Sequence, residues 1–257
     1  MARENRPIAV RIEGAVELQL LPFGQIPELL FTAGFEREEL ARVFRFLRPG
    51  MRVLDIGANV GLYTVLAAKR VGPGGGVWAF EPSSESRDRL VKNLALNRVD
   101  ARVLPLALGA AGQARAALRR EPGFRDGDRY LSSKPVADDD AEVEMVPVVT
   151  LDDFVAADPL LRERIDFLKM DIEGGEFAVF HGASAVLSDN PRLVMMFECK
   201  PAACARLGYD ALDLLAFIES FGFQAYVLER GQWVRVRERG FLEENLWAAR
   251  DVAALPG

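Results

Sequence analysis

Between Met51 and Pro201, short β-branched or apolar runs alternate with longer amphipathic stretches, the pattern of a parallel sheet covered by helices. The apolar runs predict strands over residues 53–56, 77–80 and 101–106. Residues 60–72, VGLYTVLAAKRVG, fit a helix between the first two: Lys69 and Arg70 suit the negative end of its dipole, and Gly72 is placed to stop it. Strand, helix and strand make a βαβ unit. The next helix, over 84–96, presents Leu90, Val91 and Leu94 on one face, with Asn97 near its end.

The pattern loosens after the third strand. Residues 114–118 and 143–148 read as strands, but 121–141 is polar and rich in Gly, Pro and Asp, a mobile insertion that would serve as a lid or as a long surface hairpin. Regularity returns with a buried strand over 165–171, a helix over 175–187, a strand over 193–198 and a helix over 207–221 ended by Gly222. Strands over 223–228 and 244–250 close the chain. Upstream, 36–47 is an amphipathic helix leading into Arg48-Pro49-Gly50, and 8–20 reads as a small hairpin around Glu13-Gly14. A length of 257 residues fits one α/β domain over 35–257 with an insertion at about 110–148, preceded by an extension over 1–34.

Composition narrows the functions. With 50% hydrophobic and 27% charged residues the chain can bury a large core. No stretch approaches the roughly 18 apolar residues of a membrane span, and Arg11, Glu13 and Glu17 interrupt any signal-peptide core, so the expected location is the cytoplasm. The formal charge is -6 with the two signs interspersed, which argues against a nucleic-acid partner. The densest basic stretch, RGQWVRVRERG over 230–240, alternates like an exposed strand and reads as a solvated face. Two cysteines, Cys199 and Cys204, and one histidine, His181, cannot assemble a thiolate or imidazole zinc site within one chain, so any metal would use oxygen ligands. His181 would lie six residues into its helix, about 9 Å along the axis, and reads as an exposed helical histidine.

The strongest chemical signal is VLDIGANVGLYT, residues 53–64: a strand runs through Asp55 into a Gly57-Ala58-Asn59-Val60-Gly61 turn and then a helix. Such a turn lets backbone approach a bound molecule closely. A dinucleotide fingerprint would need G-x-G-x-x-G, whereas these glycines stand four apart. Asp55 would repel phosphates and attract a cation carrying an amino group. Glu81 ends the second strand 26 residues further on, where a carboxylate can accept both ribose hydroxyls of an adenosine; its structural alternative is a helix-capping acid before Ser83.

Residues 53–64 and 80–82 resemble the cofactor motifs of class I S-adenosylmethionine-dependent methyltransferases. VVTLDDF at 148–154, DFLKMDIEGGE at 166–176 and MMFECK at 195–200 are similar to the signature of the FkbM family. The resemblance runs from about residue 35 to 250 and implies a Rossmann-like α/β fold: a seven-stranded, mostly parallel sheet with helices on both faces and a reversed last strand. Carried over by position, Asp55, Gly57, Asn59 and Gly61 would surround the methionine end of S-adenosylmethionine, with Tyr63 and Thr64 behind them. Glu81 would hold the ribose, and Ala107 would line the adenine.

Asp171, at the end of the fourth strand, is the first choice for the reactive side; its alternative is an acid complementing the dipole of the helix at Gly175. Lys169, Asp171, Glu173 and Glu176 all match the family signature here. Asp171, Glu173 or Glu198 would take a hydroxyl proton directly, or two of them would hold a divalent ion such as magnesium; Glu198 reads equally well as a strand-end acid paired with Lys200 or Lys169. Phe35, Tyr130, Tyr209 and Trp233 are aromatic candidates for a substrate rim, and Cys199 and Cys204 read as small buried groups. The resemblance implies O-methylation of a sugar, glycolipid or secondary metabolite by a chain compatible with a homo-oligomer. The rivals are an N-methyltransferase acting on protein or nucleic acid, disfavoured because no N/D-P-P-Y/F follows the fourth strand, a non-catalytic cofactor-binding module, and a nicotinamide-dependent oxidoreductase.

Overall fold

The computed structural model describes residues 7–12, 16–20, 34–120, 129–132, 143–237 and 245–257. An antiparallel pair, β1 (Ile8–Ile12) and β2 (Val16–Leu20), comes first, followed by α1 (Gly34–Phe46). The main sheet begins with β3 (Arg52–Ile56), α2 (Leu62–Val71), β4 (Gly76–Phe80), α3 (Ser84–Asn97) and β5 (Arg102–Leu104). A second, small sheet follows: β6 (Ala107–Leu108), β7 (Arg115–Arg120), β8 (Arg129–Ser132) and β9 (Glu144–Val149). Two short helices, α4 (Leu151–Ala157) and α5 (Pro159–Glu163), return the chain to β10 (Phe167–Met170). After it come α6 (Glu176–His181), α7 (Ser184–Asp189), β11 (Val194–Glu198), α8 (Pro201–Arg206) and α9 (Ala211–Ser220). Three strands end the fold, β12 (Gln224–Glu229), β13 (Gln232–Arg235) and β14 (Asn245–Ala249).

The main sheet has the order β13-β12-β14-β11-β10-β3-β4-β5. β3 is flanked by β4 on one side and β10 on the other, all parallel, so the order reverses beside β3. β14 runs antiparallel between β11 and β12, the reversed strand that the resemblance implied. The expected seven strands are joined by an eighth, β13, because the turn at Gly231 folds the basic stretch back onto β12.

Strand alternation distributes the apolar residues between two cores. Leu54, Ile56, Trp78, Phe80, Leu168 and Met170 face one side, under α4, α6, α7 and α9. Val53, Val77, Ala79 and Phe167 face the other, under α1, α2 and α3. The sheet is thereby buried on both faces, as its near-continuous apolar runs require.

Several boundaries depart from the sequence expectation. The third strand stops at Leu104, and Ala107–Leu108 pairs instead with β9 in the small sheet. The expected helix over 175–187 is two helices. The Gly182 carbonyl is taken by the Asp152 N–H at 2.9 Å, and the Asp152 carboxylate accepts the Ala185 and Val186 N–H groups at 2.9 Å each, starting a new helix. The helix expected over 207–221 begins at Ala211, where Asp210 forms a capping box with Asp213; before it stands the short α8, with Pro201 in its first turn. Most of the polar stretch over 121–141 and the Glu13-Gly14 turn lie outside the described residues; within that stretch, 129–132 is strand.

Candidate active site

The glycine turn is shaped by three close constraints. Gly57 and Ala58 donate to the Phe80 carbonyl at 3.0 and 3.1 Å, drawing the turn toward the end of β4. Gly57 has φ +76, and a Cβ there would stand 2.0 Å from the Asp171 carbonyl oxygen, so only glycine fits between the turn and the end of β10. Asn59 also takes a left-handed backbone, φ 49, a conformation in which Asn is enriched. Gly61 is the residue before α2, and Asn93 of α3 holds the neighbouring Val60 carbonyl at 2.8 Å.

Two acids stand at this turn, both buried. Asp55 is 1% exposed. Its Oδ2 accepts from Thr64 Oγ1 at 2.5 Å, and its Oδ1, which has no hydrogen-bond donor, lies 3.6 Å from Lys169 Nζ. Asp55 thus already faces one cation supplied by the protein. Glu81 accepts the Asn59 N–H at 2.8 Å and the Ser83 N–H at 2.8 Å, one on each oxygen. Burial pushes its carboxyl up to about 7 against the lowering pull of those N–H groups. Ser83, not Glu81, caps α3, accepting from the Ser86 N–H.

The acids expected at the reactive side lie one strand away. The Asp171 N–H continues the sheet to the Ile56 carbonyl at 3.1 Å, and its carboxylate, 41% exposed, lies 3.8 Å from Lys169 Nζ. The chain then turns through Glu173, φ 56, and Gly174, φ +101. Three contacts hold the turn: Glu176 accepts the Ile172 N–H at 3.0 Å, Arg206 donates to the Glu173 carbonyl at 2.8 Å, and the Tyr209 hydroxyl donates to the Gly174 carbonyl at 2.7 Å. Burial raises Glu176 to about 8. Glu198, at the end of β11, is paired with Lys200 at 2.6 Å, and burial followed by the neighbouring Asp171 charge pushes it up to about 7. One carboxylate oxygen each from Asp171, Glu173 and Glu198 lie within 4.8 Å of one another. These three carboxylates converge, as Asp55, Gly57, Asn59, Gly61, Thr64 and Glu81 do around the turn.

Other residues are placed differently from their sequence reading. The Ala107 side chain is buried with Ala116, Leu118, Val146 and Val148 in the small sheet's core, so its methyl group packs there. Tyr63 lies 5.1 Å from Lys169 Nζ, ring centroid to nitrogen, rather than only behind the turn. Tyr130 of β8 stacks under the Arg206 guanidinium at 4.6 Å, bringing the insertion to the Glu173 turn. Trp233 donates to the Pro256 carbonyl and packs against Trp247, away from the site. His181 is exposed and packed against Phe177 and Phe217. Cys199 and Cys204 are buried free thiols. The side chain of Phe35 lies outside the described residues. Sequence reasoning missed the part played by Lys169; its signal was a lysine in an otherwise apolar, fully buried strand.

A parallel sheet that reverses order beside a glycine turn, with an antiparallel strand inserted between β11 and β12, is the arrangement of the class I methyltransferase fold. The chain belongs to the methyltransferase FkbM domain family, whose model matches residues 55–225. It is similar to methyltransferase sdnD of Sordaria araneosa, 26% identical over an alignment of 208 residues that covers 70% of this chain and 76% of that protein. It is also similar to AMB antimetabolite synthetase AmbE of Pseudomonas aeruginosa, 29% identical over an alignment of 222 residues that covers 73% of this chain and 10% of that protein. The crystal structure of methyltransferase FkbM from Methylobacillus flagellatus KT is 18% identical with a TM-score of 0.47, covering 80% of this chain and 47% of that one. The chain thus spans less than half the length of the last two. No helix among the described residues is long and apolar enough to cross a membrane.

Proposed function

We propose that the chain transfers a methyl group from S-adenosylmethionine to a hydroxyl of a small molecule: a sugar, a glycolipid or a secondary metabolite. The observation that carries this reading is the convergence of the Gly57 turn, Glu81 and Asp171 at the carboxyl ends of β3, β4 and β10, where the sheet order reverses. The donor set fits the cofactor. Each Glu81 oxygen carries one backbone donor and keeps acceptor capacity for a ribose hydroxyl. The turn around Asn59 and Gly61 leaves backbone within reach of the methionine end. Similarity across most of this chain to a tenth of a protein named as an antimetabolite synthetase supports a small-molecule acceptor.

Bound S-adenosylmethionine supplies an electrophilic methyl group on a sulfonium. The protein's part is orientation and proton removal. Aligned reactants gain on the order of 7–11 kcal/mol in favourable cases. Asp171 is more exposed than its neighbours and takes the hydroxyl proton at its carboxylate as the oxygen attacks. Glu198, pushed up to about 7 by burial and the Asp171 charge and paired with Lys200, borders the same acceptor side.

The test is incubation of the protein with labelled donor and an extract of its source organism, followed by identification of the product. A labelled methyl ether supports the reading; a labelled amine, protein or RNA moves the acceptor to another class. Activity that survives a chelator supports direct proton transfer, whereas loss restored by magnesium would give the three carboxylates a metal instead. Asp171→Asn is expected to cut turnover by about 10²–10⁴-fold while leaving S-adenosylhomocysteine affinity within a few-fold, checked by the same assay and by calorimetry.

A further inference from the structure

One ammonium group joins the two halves of the site. Register pairs Lys169 with Asp55 across β10 and β3, so their side chains project to the same face of the sheet. Lys169 Nζ lies 3.6 Å from Asp55 Oδ1, 3.8 Å from Asp171 Oδ2 and 3.3 Å from the Gly57 carbonyl oxygen, to which it donates. The Tyr63 ring covers it, and the side chain is 7% exposed. The same cation therefore touches the strand before the glycine turn, the turn itself and the carboxylate at the acceptor side.

We propose that Lys169 is a positioning residue for methyl transfer, fixing the Asp171 carboxylate relative to the cofactor turn. The inference rests on the methyltransferase reading and adds to it a part for a residue that acts through Asp171. A lysine present only to neutralise Asp55 would need no contact beyond β3. Here the second carboxylate is the exposed one at the reactive side, and the carbonyl belongs to the residue whose Cβ position Asp171 fills. Lys169 donates to the Gly57 carbonyl and attracts the two carboxylates as a charge at 3.6 and 3.8 Å, so displacement of any one is resisted by the other two.

The test separates this role from neutralisation. Lys169→Met leaves Asp55 buried without its counter-charge and is expected to lower the thermal midpoint. Asp55→Asn combined with Lys169→Met removes both charges, and is expected to recover the midpoint and to bind S-adenosylhomocysteine within about threefold of Asp55→Asn alone. Turnover of the double variant, in the labelled-extract assay, is expected to stay tenfold or more below that of Asp55→Asn. Crystals of the two variants with S-adenosylhomocysteine give a readout that needs no acceptor: the Asp171 carboxylate should leave its place only in the double variant. Equal turnover, or an unmoved Asp171, overturns the positioning role. Failure of the unaltered protein to bind S-adenosylhomocysteine is a different result and sinks the methyltransferase reading beneath it.

Discussion

At residue 57 a methyl group would stand 2.0 Å from the Asp171 carbonyl oxygen, a contact that only movement of the turn or of the β10 end can relieve. Gly57→Ala is expected to destabilise the fold by on the order of 1–3 kcal/mol and to abolish S-adenosylhomocysteine binding, measured by denaturant midpoint and calorimetry. The buried carboxyls make a second prediction. Glu81 and Glu176 have folded values raised to about 7 and about 8, so each binds its proton more tightly folded than unfolded. The stability this gives is complete below the ordinary carboxylate value of 4.5 and is lost as pH rises through the folded values. The thermal midpoint should therefore fall between pH 5 and about pH 8, and Glu176→Gln should flatten that fall. Asp55, Glu81 and Asp171 were legible in the sequence because each stands within or at the end of an apolar run. What they hold was not: Lys169 and the Asn59 N–H reach them only once β10, β3 and β4 lie side by side.

Helices and strands of the first half were read closely because their signals are local: Gly72 stops α2, and Ser83 precedes α3 with its side chain on the Ser86 N–H. The break between α6 and α7 could not be read, since the group that makes it, Asp152, belongs to α4. Removing that carboxylate with Asp152→Ala should cost about 1 kcal/mol and loosen amide protection at Ala185 and Val186, measured by hydrogen exchange. The late start of α9 was legible in principle, in the Gly208 to Asp213 stretch, where a glycine precedes an Asp capping box. Helical periodicity continuing through Leu207 outweighed it, although a left-handed Gly208, φ +87, separates that residue from the helix.

In the whole molecule, strand order decides where chemistry can occur. β3 lies between β4 and β10, and the chain reaches those two neighbours by connections on opposite faces, which opens a crevice at their carboxyl ends. The parallel order was legible from the alternation of apolar and amphipathic runs, and so were the strands over 114–118 and 143–148; their assembly with β6 into a small sheet was not, because β6 pairs with β9 across the intervening insertion. The crevice collects acids at the ends of four strands, β3, β4, β10 and β11, and Tyr130 brings the insertion to its rim through Arg206. The most direct measurement of the central claim is calorimetric titration of the protein with S-adenosylhomocysteine, repeated with Glu81→Ala and with NADH as competitor. One site of micromolar affinity, lost in Glu81→Ala and indifferent to NADH, is the result this account requires. Heat from NADH alone, or adenosylhomocysteine binding that survives the loss of Glu81, would contradict it.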